Sequence, residues 1–288
     1  MKYWLIYFLC VAVITGGVPI AADRLLEKES VPSLSVLCGG EICEMSAEEF
    51  ALRVLLAEGQ DCEGLQAKKA LAVAARSCGV YLSLFGCKHD GFDLCDDGNC
   101  CFYMGDPMKA QEGFLAECVS AVEETKGICL TYDDLPAMAL FSKCHGSGSR
   151  DCPDFTYLTA VSEEELCQEH KREFTADYTA LCEKTGCAKE EIISNSALVY
   201  EVNRKCRFAI IGGKYLSAEE ISDVLGTKGL EFALTFEENR INGESFGVGS
   251  GFGLSVCGCE RLGQEGFDFE KILEYYYPKL TLNKIYQN

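Results

Sequence analysis

Basic residues are scarce in this chain. Lys and Arg total 26 against 45 Asp and Glu, giving a net charge of −19. Nucleic acid is excluded as a partner, because phosphate binding needs clustered Lys and Arg. The same deficit disfavours anionic lipid surfaces as the main partner. Proline is rare, at six residues, while 48% of the chain is hydrophobic. That combination excludes a disordered chain and implies a packed globular body. The 288 residues suffice for one large domain or two small ones. No internal repeat is present, and strands and helices do not alternate as βαβ units. The pattern of helices first and strands later predicts an α+β fold, with a helical N-terminal part packed with an antiparallel β-rich part.

One stretch has no charge at all. Residues 3–22, YWLIYFLCVAVITGGVPIAA, are long enough to span a bilayer. They read as a membrane anchor, with a cleaved signal peptide ending at the small residues PIAA as the rival. Either way the body is exported. Residues 23–45 read as a tether running into a first strand, and 46–288 as the body. The nineteen cysteines are many for an exported chain. Disulfides and reduced thiols both remain open, and the chain is long enough not to need a disulfide framework.

The first helix is legible from its start. Ser46 and Glu49 form a capping-box pattern, and Phe50, Val54 and Leu55 recur at helical spacing. Glu58 and Gly59 end it. Gly59 is predicted in the left-handed stop position, which leaves Glu58 among orphan carbonyls in the last turn. A carboxyl group there has its neutral form favoured, as a general acid requires. A second helix begins near residue 63, and its alanine-rich middle predicts close packing. A polar loop fills 86–101 and a third helix about 108–126. Strands are predicted at ICLTY and AMALFSKC, joined through a DDLP turn. Residues 162–186 read as a charged helical stretch. FAIIGGKYL reads as a hairpin, Ser217 and Glu220 as a second capping box, and EFALTFEENRING as further β-structure. The glycine-dense SFGVGSGFGLSVCGC must hold unusual backbone conformations, and a final helix ends in ILEYYYPKL.

In the polar loop His89, Cys95, Cys100 and Cys101 lie within thirteen residues. A histidine with two thiolates is a reasonable zinc ligand set, and a loop can wrap a metal. A disulfide or simple thiols would explain the same cysteines. Arg76, within the alanine-rich helix, reads as a structural residue that needs hydrogen-bond partners. His170 reads as part of a solvated face with no assigned role.

Several segments together resemble one family. AE at 57–58 followed by KALAVAARS at 69–77, HDGFDLC with CCFY, IGGKYLSAEEISDVLG, GVGSGFGLSVCGC and KILEYYYP resemble, in order, the motifs of the stage II sporulation protein D family. The resemblance covers about residues 30–280. It implies a peptidoglycan lytic transglycosylase that acts on glycan strands during engulfment in sporulation, with Glu58 as the catalytic acid and base. It also implies a body outside the cytoplasm facing the cell wall or the space between mother cell and forespore, held by the N-terminal anchor. An amidase that strips stem peptides and the other engulfment proteins are the implied partners. Zinc at the loop would shape the groove rather than cut. Cys95 and Cys100 match the paired-cysteine spacing, with Cys101 a competing ligand.

The chain also departs from the family pattern. In FSKCHGSGS, His145 stands in the serine place and Ser147 in the second glycine place of the usual run. In the glycine-rich loop Ser250 replaces histidine and Val256 replaces glutamine. His145, Ser147, Ser149 and Ser250 are the residues expected to line the glycan groove. The departures carry an alternative function, a degenerate protein that binds peptidoglycan or scaffolds the engulfment machinery without cutting.

Overall fold

The computed structural model describes residues 31–86, 89–96, 103–163, 170–200 and 205–286. Within these residues the fold is α+β, with several small and mostly antiparallel sheets. The chain divides into two compact units, one of Met1–Ala57, Ala72–Met138 and Thr281–Asn288, the other of Glu58–Leu71 and Ala139–Leu280.

In the first unit β1 (Ser33–Cys38) turns at Gly39 and Gly40, both at positive φ, into β2 (Glu41–Ser46). The glycine pair supplies the left-handed geometry that a tight hairpin demands. β3 (Leu94–Cys95) adds to β1 in parallel. Helix α1 (Ala47–Glu58) starts where the Ser46 hydroxyl accepts the Glu49 N–H at 3.1 Å, which satisfies one orphan donor. Helix α2 (Leu65–Phe85) presents Gly79 to Phe50 and Leu34, and a Cβ at Gly79 would come within 2.6 Å of the Phe50 ring and 2.9 Å of Leu34. The close approach expected of the alanine-rich segment is thus centred on this glycine. Helix α3 (Glu112–Glu124) precedes β4 (Ile128–Tyr132), which pairs with β5 (Leu135–Pro136) on one side and β14 (Thr281–Lys284) on the other. Asp133 and Asp134 take φ of 50° and 63° in the β4–β5 turn, a left-handed geometry that aspartate tolerates better than most residues.

Arg76 organises the interior of this unit. It is 0% exposed. Its Nε and Nη2 donate to Glu48 Oε2 at 2.9 and 2.6 Å, and Nη1 and Nη2 donate to the carbonyls of Ile128 and Val122. The other Glu48 oxygen accepts from the Gly127 N–H and the Tyr286 hydroxyl. The buried guanidinium therefore has its charge paired and its donors used.

In the second unit β6 (Phe141–Ser142) pairs in parallel with β13 (Leu254–Ser255). β7 (Arg172–Ala176), β12 (Ile241–Phe246) and β11 (Glu231–Phe236) form one antiparallel sheet. β8 (Ala197–Tyr200), β9 (Cys206–Ile211) and β10 (Lys214–Ser217) form another. Helices α4 (Thr179–Thr185), α5 (Lys189–Ser194) and α6 (Ala218–Leu225) accompany them. Leu181, Ile192, Ile211, Ile221, Phe232 and Ile241 are the heart of one buried cluster. The Ser217–Glu220 capping box is complete in both directions, and Gly212 and Gly213 turn the β9–β10 hairpin at positive φ. Helices α7 (Val256–Gln264) and α8 (Phe269–Tyr276) complete the unit.

Three local expectations change. Residues 172–176, expected as helix, are strand β7, because β12 offers a partner edge from Ile241 to Ser245. The strand expected at AMALFSKC is reduced to Phe141–Ser142, with Cys144 in an isolated bridge to Val248. Gly59 is not a left-handed stop: α1 runs on into a 3₁₀ turn over Gly59–Asp61, closed by the Cys62 N–H on the Gly59 carbonyl at 3.0 Å. A 3₁₀ turn is a common way to tighten a helix end and use its carbonyls.

Candidate functional site

Glu58 is the last residue of α1, half-buried, with φ −95° and ψ −22° as the chain enters the 3₁₀ turn. Glu58 opens the second unit, to which Asp61 and Lys143 also belong. One turn on, Asp61 Oδ2 accepts from Lys143 Nζ at 2.7 Å. That hydrogen bond is the main reason Lys143 is held above the ordinary lysine range, and the charges of Asp61, Cys257 and Glu58 add to it. Lys143 is therefore a fixed cation within electrostatic reach of Glu58. Sequence reasoning missed it: the residue lies inside the FSKC segment, but only the fold reveals that it meets Asp61.

The glycine-rich loop holds Lys143 in place. Gly247, Gly249, Gly251 and Gly253 all have positive φ. Where an alanine at 247 or 249 would stand, its Cβ would come within 2.7 Å of the Cys144 carbonyl and 2.8 Å of the Ser142 Cβ. The loop thus lies against the backbone of 140–145, and only glycine permits that approach. Val248 exchanges hydrogen bonds with Cys144 at 3.1 and 2.8 Å, and the Cys257 N–H donates to the Lys143 carbonyl at 3.0 Å. Ser255 caps α7 through the Gly258 N–H.

The four predicted groove residues are placed differently from one another. Ser250 is exposed, and its hydroxyl lies 3.2 Å from that of Ser142. Ser147 gives both its N–H and its hydroxyl to Glu231 Oε2 at 2.8 Å. Ser149 is 0% exposed and its hydroxyl accepts the Val161 N–H at 2.8 Å. His145 is 1% exposed, with Nδ1 3.0 Å from Glu163 Oε1 and its ring edge-on to Tyr276. Val256, the departure from glutamine, is buried at the start of α7. A shallow groove of about 720 Å³ over β7, β11 and β12, bordered by Glu173, Arg240, Asn242 and Glu244, includes none of the predicted residues.

Of the loop expected to hold metal, His89 is half-buried with its ring stacked on Phe92 at 4.5 Å. Cys95 is buried on β3, in register with Leu37. Cys100 and Cys101 lie outside the described residues, as do residues 1–22. Among the described residues no helix is long and apolar enough to cross a membrane. A different group does converge among them: the ligand atoms of Cys144, His170 and Cys257 lie within 4.8 Å of one another. Elsewhere burial pushes the thiols of Cys62, Cys129 and Cys259 upward, that of Cys129 to about 12, so these are inert core cysteines.

Comparison with known proteins agrees with the motif reading. The family described as stage II sporulation protein matches residues 40–132. Stage II sporulation protein D of Bacillus subtilis (strain 168) is 25% identical over 254 residues, which cover 82% of this chain and 74% of that protein. The matched family region includes both α1 and the helix that carries Arg76.

Proposed function

We propose that this chain, whose residues 40–132 match the stage II sporulation protein family and which is 25% identical to stage II sporulation protein D of Bacillus subtilis, is a lytic transglycosylase that cleaves the MurNAc–GlcNAc bond of peptidoglycan strands during engulfment. The observation that carries the reading is Glu58, a half-buried carboxyl at the end of α1 whose charge is felt by Lys143, the cation held by Asp61. Glu58 in its acid form protonates the glycosidic oxygen, and the bond to the muramoyl C1 breaks. The carboxylate left behind is stabilised by Lys143. It then takes the proton of the muramoyl C6 hydroxyl as that oxygen closes on C1. The products are a 1,6-anhydro-muramoyl end and a free GlcNAc hydroxyl, and no water is consumed. One carboxyl therefore serves where hydrolytic glycosidases need two, and holding the internal nucleophile in place supplies much of the rate.

The body works outside the cytoplasm on strands that an amidase has stripped of stem peptides, held by residues 1–22. In the loop, His89 and Cys95 are a half-buried imidazole and a buried sulfur, donors that suit zinc. With Cys100 or Cys101 they would hold an ion that shapes the groove, and the proton transfers remain with Glu58.

A second reading has its own support. His145 and Ser149 are buried, and Ser147 is engaged by Glu231. Polar groups expected on the glycan are used internally, which suits a protein that binds peptidoglycan without cutting it. Incubation with glycan strands free of stem peptides, followed by mass spectrometry, separates the two. Anhydro-muramoyl ends support the enzyme; binding without such ends refutes it.

A further inference from the structure

We propose that the reduced chain binds one soft divalent cation, zinc by preference, between the sulfurs of Cys144 and Cys257 and the imidazole of His170. This centre is separate from the His89–Cys95 loop, and it does not depend on the glycan-cleaving activity.

The three donors come from distant parts of the chain and meet at one point. Their ligand atoms all lie within 4.8 Å of one another, and Cys257 Sγ is 3.4 Å from His170 Nε2. A tetrahedral zinc ion with Zn–S near 2.3 Å and Zn–N near 2.0–2.1 Å places its donors about 3.5–3.8 Å apart. Cys257 and His170 already stand at that spacing, and Cys144 lies within 4.8 Å of both. Cys144 and Cys257 are 2% and 8% exposed and form a buried pair, while His170 is half-buried at the surface side. The metal would be shielded on its sulfur side and reached past the imidazole.

The backbone is already in position. Cys144 is held by its two hydrogen bonds to Val248, and Cys257 by its N–H on the Lys143 carbonyl. Cys257 stands in the first turn of α7, capped by Ser255. His170 lies two residues before the start of β7, which is anchored along β12. A buried cysteine pair needs no histidine for packing. An imidazole nitrogen directed at one of the two sulfurs adds the donor type that zinc favours beside thiolate.

Cys144 is disulfide-bonded here. A disulfide sulfur is a poor zinc ligand, so the site belongs to the thiol state. A dithiol reductant supplies the two electrons and two protons that turn this disulfide into two thiols, and itself closes to a cyclic disulfide. Zinc then displaces one proton from each of Cys144 and Cys257 and takes the lone pair of neutral His170. The two thiolates balance the charge of the ion, and two protons are released. The fourth position is left to a further donor.

The test uses the full chain in detergent micelles, reduced anaerobically with a dithiol that is then removed, and titrated with Co²⁺. The expected result is a thiolate-to-cobalt charge-transfer band with the intense d–d bands of a tetrahedral site, displaced by Zn²⁺. Cys257→Ser should lose one bound equivalent, and His170→Ala should weaken that equivalent by at least ~10-fold. His89→Ala should retain it, and the unreduced chain should lack it. His170→Ala keeps the decision open to measurement if Cys257→Ser fails to fold, because its side chain is only half-buried. Three results would overturn the proposal. One is unchanged cobalt binding in His170→Ala. Another is loss of thiolate-bound cobalt solely in His89→Ala. The third is a reduced parent chain with no tetrahedral cobalt spectrum.

Discussion

Glu58→Gln removes one ionisable proton and almost nothing else, since the side chains are of equal size and both form hydrogen bonds. If Glu58 acts first as acid and then as base, formation of anhydro-muramoyl ends should fall by at least ~10²-fold, the lower bound for acid–base catalysis. The stability change is the difference of two small effects. An anion near a helix C-terminus is unfavourable by a few tenths of a kcal/mol, roughly, and the 3₁₀ turn over Gly59–Asp61 already uses part of that end. Against this, the variant loses the attraction of Lys143, a part-exposed cation, worth about 0–1 kcal/mol in such settings. Lys143 keeps its hydrogen bond to Asp61, so it is not stranded. The net change should stay within about 0.5 kcal/mol, and the melting temperature within about 2 °C for a domain of this size. The assay is mass-spectrometric counting of anhydro ends, paired with thermal unfolding by circular dichroism. Full activity in the variant would refute the mechanism. Lost activity with a melting temperature lower by 5 °C or more would refute the energetic reasoning, because the fold rather than the chemistry would then have failed.

Arg76→Ala should destabilise the protein by about 3–5 kcal/mol, the usual cost of stranding one member of a buried ion pair, because Glu48 would remain beside Tyr286 without its cation; urea titration measures it, and a change under 1 kcal/mol would show the network to be dispensable. Gly79→Ala should cost about 1–3 kcal/mol by overpacking against Phe50 and Leu34, with the same measurement and with a neutral result contradicting the close approach. Residues 1–22 should remain on the mature chain and hold it in the membrane fraction; N-terminal sequencing that begins after Ala22 would instead show a cleaved signal.

The features legible in the sequence are those whose cause is local. A capping box is four consecutive residues, and Ser217 with Glu220 forms one as read. The Gly212–Gly213 hairpin and the Asp133–Asp134 turn are likewise decided by backbone preferences within a few residues. Strand β7 was hidden because KREFTA carries charges at a spacing that also suits a helix, while its partner lies some seventy residues on in β12. Gly59 misled for a related reason. Glycine permits a left-handed stop without enforcing one, and the chain instead tightens into a 3₁₀ turn. Glu58 was legible because helix ends are local. Lys143 was not, because its approach to Asp61 depends on the parallel pairing of β6 with β13 and on a loop of four glycines. His170 illustrates the same limit: its neighbour Cys257 is 87 residues away.

Asp61 sharpens the question of mechanism, because it is a second carboxylate one turn beyond Glu58. In a hydrolytic glycosidase two carboxylates share the work, one protonating the leaving oxygen and the other attacking C1 or activating water. Asp61 is poorly suited to that part. Its Oδ2 is committed to Lys143 at 2.7 Å, which ties down its orientation and occupies the oxygen that would have to reach C1 or a water. Its role in the single-acid reading is to position Lys143, whose charge supports the Glu58 carboxylate between the two proton transfers. Asp61→Asn keeps a hydrogen-bond acceptor for Lys143 but loses the anion. The single-acid reading therefore expects a reduced rate, about 10-fold or less, with every cut end still an anhydro sugar. The pH–rate profile should shift, because Lys143 is held protonated mainly through Asp61 and loses a proton more readily without it; the high-pH limb should move to lower pH. A two-carboxylate hydrolase expects something else: a parent enzyme that makes reducing ends, and an Asp61→Asn variant about as inactive as Glu58→Gln. Reducing ends in the parent digest would overturn the transglycosylase reading even if Glu58 proved indispensable, because indispensability alone does not say whether water or the sugar's own hydroxyl closes the reaction.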